Sequence, residues 1–127
     1  FGALEQVHPL LVALLFAGDR FESRDWLLKL AEANQILVCD RYVASNIAHQ
    51  GAKAAATERD ELRRWIEFVE YDQHRLPRAD FTLWLEVPVA VASRLIQRKA
   101  PRDYTARAAD LQEADAAYLQ RVHAMSV

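Results

Sequence analysis

Apolar residues recur along this chain in two rhythms, and the first is helical. Leu10, Leu11, Leu14 and Leu15 fall on one helix face, and His8-Pro9 opens the segment with proline where a missing N–H costs nothing. Trp26, Leu27, Leu30 and Ala31 carry the rhythm on toward Asn34, a stop before the next element. Leu62, Trp65, Ile66 and Val69 predict a third helix, with Thr57 as its cap, Asp60 behind it, and Arg63, Arg64 and Glu67 facing water. That helix is assigned to packing, without chemistry, and ends at Leu76-Pro77-Arg78. Pro88 begins another, on which Arg94 and Arg98 stand one turn apart. The last helix turns Leu111, Ala114, Tyr118, Val122 and Met125 inward, with Asp110 and Glu113 near its start, where acids suit the dipole.

The second rhythm is continuous. Ile36, Leu37, Val38 and Cys39 form one unbroken apolar run, and residues 81–87, FTLWLEV, form another. Short runs of this kind predict strands buried on both faces, as in a parallel sheet. A pair of such strands does not make a stable sheet alone. The expectation is therefore an α/β domain with helices on both faces of a parallel sheet, present as an incomplete central and C-terminal part. Both ends read as interior, since residue 1 is Phe and residues 118–127 carry no helix stop signal.

Bulk properties narrow the class. A chain of 127 residues suits a single domain, here residues 1–127. With 52% hydrophobic and 27% charged residues it predicts a packed core rather than disorder. The net charge of −2 supplies no basic field for nucleic acid. The lone cysteine, Cys39, excludes an intrachain disulfide framework, reads as a buried thiol and fits a reducing cytoplasm. No apolar run reaches membrane-spanning length and no signal peptide is visible, so the expectation is a soluble intracellular protein away from membranes.

The candidate chemistry gathers after the first apolar run. Asp40 and Arg41 stand at its carboxyl end, where ligands bind in open α/β sheets. The acid suits Mg²⁺ or its waters, and the guanidinium forks onto a phosphate. Polar Ser45, Asn46, His49 and Gln50 follow. Phe16 and Arg20, one turn apart, offer a flat stacking face and a fork of donors for a base edge. Singly, each has a plainer reading: a core aromatic, a solvated helix charge, a surface Asp-Arg pair. From Gln97 to Arg107 the hydrophobic period disappears and Arg98, Lys99, Arg102 and Arg107 gather, the pattern of a lid that closes over polyphosphate.

Read together, LLFAGDR (14–20), DRYVASNIAHQG (40–51), LPRADFTLWLEVP (76–88) and the D-x-x-E-A-D-x-x-Y-L-x-x-V pattern (110–122) resemble the thymidylate kinases, in the family's order. The resemblance covers nearly the whole chain. It implies the P-loop kinase-like three-layer α/β fold, a homodimer, Mg²⁺ as cofactor, and transfer of the ATP γ-phosphoryl group to dTMP. By position it places Phe16 against the thymine ring, Arg20 on the base's carbonyl edge and Asn46 at the pyrimidine edge, with Ser45 nearby. It places Asp40 by Mg²⁺, Arg41 on the nucleotide monophosphate, Arg94 and Arg98 on the ATP phosphates, and Asp110 beside the substrate. Arg41 and Arg98 are its catalytic residues.

Two departures stand out. His49 replaces the family's Tyr or Phe, the ring that lies against the deoxyribose. No G-x-x-x-x-G-K-[ST] occurs, and Gly2, Gly18 and Gly51 are the only glycines. The alternatives are another nucleoside monophosphate or deoxynucleoside kinase, and a non-catalytic homologue that keeps nucleotide-binding or dimer-forming surfaces.

Overall fold

A computed structural model describes residues 7–97 and 116–126 of the chain. Six α-helices follow one another among these residues: α1 (Pro9–Glu22), α2 (Arg24–Ala33), α3 (Val43–Gly51), α4 (Arg59–Glu67), α5 (Val89–Gln97) and α6 (Ala116–Ser126). A 3₁₀ turn, Ala56–Glu58, leads into α4, and a π-helical turn, Phe68–Gln73, prolongs it.

The expected parallel sheet is absent from the described residues. Residues 36–39 and 81–87 form no strand and pair with no other described residue, and a segment becomes a strand only through a ladder of partner hydrogen bonds. Their side chains stand open accordingly: Val38 is 85% exposed and Phe81 83%. Cys39 shares this fate and is exposed rather than buried. The α/β expectation is thus corrected to a helical arrangement in which both apolar runs lie on the surface.

Helix α3 occupies the middle, flanked by α1, α4 and α6. Its sequence, VASNIAHQG, allows this because small residues alternate with larger ones and permit close approach on more than one side. One side joins Val43 to Ala13, Leu62 and Ile66, with Tyr42, Ile47, Trp65 and Tyr71 packed around them. The other joins Ala48 and Ala52 to Tyr118 and Val122 of α6, with Met125 alongside. Helix α6 is also fastened to the chain just past α3, where Arg121 Nε donates to the Ala52 carbonyl at 3.1 Å.

Local signals account for most helix ends. Pro9 is the first residue of α1, and His8 caps it by accepting from the Leu10 N–H at 3.3 Å. Asn34 closes α2 by donating its side-chain amide to the Leu30 carbonyl at 2.8 Å. Thr57 is not the cap of α4: it lies within the 3₁₀ turn, and Glu58 holds the cap position. Pro88 sits one residue before α5, its carbonyl accepting from the Val91 and Ala92 N–H groups. Of the residues expected inward on the last helix, Tyr118, Val122 and Met125 do pack there, while Leu111 and Ala114 lie outside the described residues. In α1 the buried residues are Ala13 and Ala17, while Leu10, Leu11, Leu14 and Leu15 remain at the surface. Close packing against α3 selects the small residues, so the leucine stripe is not the face that α1 buries.

This contrast gives a stability prediction. Ile66 is 1% exposed and Leu15 46%. Ile66→Ala removes fully buried methylenes and should lower unfolding free energy by about 2–4 kcal/mol, against about 0.5 kcal/mol for Leu15→Ala. Urea denaturation of both variants tests it, and equal losses would contradict the packing described.

Candidate active site

The turn between α2 and α3 brings Asp40 and Arg41 to the surface beside the end of α1. Arg41 takes φ 68°, the left-handed region that non-glycine residues rarely adopt. Such strain persists only where the surroundings hold it, and it gathers at ligand sites. Asp19 and Arg20 from α1, Leu27 and Leu30 from α2, and residues 37–42 line an open cleft of about 370 Å³. Two carboxylates and two guanidiniums, Asp19, Asp40, Arg20 and Arg41, therefore share one concavity.

Beneath it lies a largely buried polar cluster. Glu70, on the π-helical turn, is 0% exposed. Arg20 forks onto it: Nε donates to Oε2 at 2.8 Å and Nη2 donates to Oε1. Asn46 Nδ2 donates to the same Oε1 at 3.1 Å and to the Ala13 carbonyl at 3.2 Å, while Asn46 Oδ1 accepts from Gln50 Nε2 at 3.3 Å. A buried carboxylate without partners costs several kcal/mol, and these donors remove that cost. The sequence alone does not single out Glu70, because its helix reads as a packing helix. The available signal was its place one turn after Ile66, an acid set into the apolar stripe.

The expected site residues divide clearly. Arg20, Asp40 and Arg41 meet at the cleft, and Asn46 lies behind it, 4% exposed with its amide engaged internally. Phe16 is 47% exposed on α1, one turn from Arg20, but does not line the cleft. Ser45 is half-buried on α3. His49, also on α3, faces Arg41 Nη1 through Nε2 at 3.3 Å and the Tyr118 hydroxyl through Nδ1 at 2.8 Å, so it bridges the cleft's edge to α6. Arg94 is exposed on α5. Arg98, Asp110 and lid residues 98–107 lie outside the described residues.

Tyr42 closes the cleft floor and donates its hydroxyl to the Pro77 carbonyl at 2.8 Å. Burial, reinforced by Tyr71, Cys39 and Glu70, pushes its phenol up to about 12, with Arg20 opposing. Tyr71 is raised as well, chiefly by burial, while Arg78, 4.1 Å over its ring, pulls the other way.

Chemically, the cleft suits an anion on the arginines and a hard cation on the carboxylates. Mg²⁺ needs only one or two protein carboxylates when phosphates and waters complete its shell, and Asp19 and Asp40 fit that demand. Among the described residues no group of three or more His, Cys, Asp or Glu meets, so an all-protein metal cage is not built there. Nor is any of these helices long and apolar enough to cross a membrane.

The sequence model described as thymidylate kinase matches residues 3–125, and the chain belongs to that family. It is 32% identical over 114 residues to the thymidylate kinase of Mycobacterium tuberculosis (strain H37Rv), covering 90% of this chain and 53% of that protein. To the probable thymidylate kinase 1 of Saccharolobus solfataricus it is 38% identical over 84 residues, 66% of this chain and 39% of the relative. To the probable thymidylate kinase of Pyrobaculum aerophilum it is 35% identical over 101 residues, 77% and 47% respectively. The chain thus spans about half the length, or less, of these curated relatives. No solved structure matches it significantly.

The floor of the cleft yields a pH prediction. The Tyr42 pKa lies above the ordinary 10, so its contribution to stability is whole below pH 10 and is lost as pH rises through about 12. Tyrosinate absorbance of the wild type minus Tyr42→Phe should show a phenol ionising near pH 12. A difference curve centred near 10 would mean that Tyr42 is neither buried nor bonded to Pro77.

Proposed function

We propose that this chain supplies the acceptor-nucleotide site of a dTMP kinase, which transfers the γ-phosphoryl group of ATP to dTMP and gives dTDP and ADP. The observation that carries the reading is the meeting of Arg20, Asp40 and Arg41 in one cleft, in a chain of the thymidylate kinase family.

The roles follow from chemistry and position. Arg41, exposed at the cleft rim, grips the monophosphate of dTMP and aligns it for attack. Arg20 donates to the base's carbonyl edge and Phe16 offers a face for the thymine ring. Asn46 and Ser45 complete the base side, and His49 stands by the sugar while orienting Arg41. Asp40, with Asp19 at hand, holds Mg²⁺, which when bound neutralises charge on the transferring phosphates. Arg94, Arg98 and Asp110 serve the donor phosphates and substrate around the lid. Phosphoryl transfer through a loose transition state asks little covalent work of the protein, so positioning and charge do the catalysis. A homodimer in the cytoplasm completes the reading.

An ADP-release assay on the complete gene product tests it. Turnover should depend on dTMP, with dCMP a poor substitute. The 127 residues alone should show no turnover, because no Gly-rich phosphate loop with its lysine lies among them. Brisk activity of the short chain would contradict this assignment of roles. Arg41→Lys keeps the charge but loses the planar fork. In the complete product it should cost about 2–4 kcal/mol of transition-state binding, raising KM for dTMP and lowering kcat. Unchanged kinetics would remove Arg41 from the site.

A further inference from the structure

Glu70 is the only buried acid among the described residues, and none of the roles above uses it. We infer that Glu70 is a positioning residue that sets which pyrimidine the cleft accepts, by fixing the free donor edge of Arg20 and the amide orientation of Asn46. The inference rests on the dTMP kinase reading and deepens it.

The geometry determines what remains for a ligand. Arginine has donors only, and Glu70 occupies its side-on edge through Nε and Nη2. What is left is the end-on edge, the two N–H groups of Nη1 and one of Nη2, on a side chain only 17% exposed at the cleft wall. Glu70 also decides the orientation of Asn46. Its amide nitrogen must face two acceptors, Glu70 Oε1 at 3.1 Å and the Ala13 carbonyl at 3.2 Å, and the flipped amide would set oxygen against oxygen.

A base with a carbonyl at the Arg20 edge satisfies these donors. A base with an exocyclic amino group there sets donor against donor and leaves buried groups unpaired, which is how a polar site rejects the wrong isostere. The dTMP of the proposed function, a 4-oxo pyrimidine, meets this edge, and a 4-amino pyrimidine does not. The discrimination depends on Arg20 being held still. Freed from Glu70, a long arginine side chain regains rotamers and can withdraw from an amino group, which relieves the clash that rejects the wrong base.

The test uses the complete gene product as wild type, Glu70→Gln and Glu70→Asp, with thermal melts to establish folding. The KM values for dTMP and ATP and the kcat/KM ratio of dTMP to dCMP are read for each. Glu70→Gln should raise the dTMP KM about tenfold and lower the dTMP-to-dCMP ratio about tenfold, leaving the ATP KM unmoved. Glu70→Asp, which keeps the charge, should recover part of the ratio. Should Glu70→Gln fail to fold, a lowered ratio in Glu70→Asp alone sustains the inference. An unaltered ratio in folded variants, or loss of folding in both, makes Glu70 structural only and overturns it. A wild type that does not phosphorylate dTMP overturns the function reading instead, so the two failures are distinct.

Discussion

A carboxylate with no access to water must be held by donors, and in this chain that requirement ties the site together. Glu70 draws Arg20 from α1 and Asn46 from α3 onto a single turn at the end of α4. The pairing is demanding because removing one partner from a buried ion pair leaves an uncompensated charge, typically about 3–5 kcal/mol worse. It also fixes side chains that stand at or behind the cleft. Stability and the proposed recognition therefore rest on the same contacts.

The π-helical turn is how the backbone delivers Glu70. The His74 N–H reaches back to the Val69 carbonyl, and the Leu76 N–H to that of Glu70, the wide spacing of a locally unwound helix. Arg75 then takes φ 53° and reverses the chain toward Pro77, whose carbonyl receives Tyr42. Wide turns of this kind are rare inside helices and occur often at functional sites. A second strained residue, Arg41, lines the cleft itself.

Much of the helical architecture was legible in the sequence, because capping and apolar spacing are local. His8-Pro9, Asn34 and the inward face of α6 are read directly from residue type and period. The burial of α1 was not, since whether Ala13 or the leucines face inward depends on how near α3 comes. Residues 36–39 and 81–87 read as buried strands but form none: a strand needs a partner that its own sequence does not specify. At the site, Asp40, Arg41 and Arg20 were legible from neighbouring residues and a family pattern. Glu70 was hidden because its partners lie 50 and 24 residues away. Only its intrusion into an apolar stripe marked it.

The central claim is that one edge of Arg20 belongs to Glu70 and the other to the substrate base. A crystal structure of the complete gene product with dTMP bound tests this most directly. The account predicts the Nε–Nη2 edge still on Glu70, Nη1 within hydrogen-bond reach of the base's 4-carbonyl, and Arg41 on the phosphate. A dTMP bound away from this cleft, or an Arg20 that abandons Glu70 to reach it, would contradict the account.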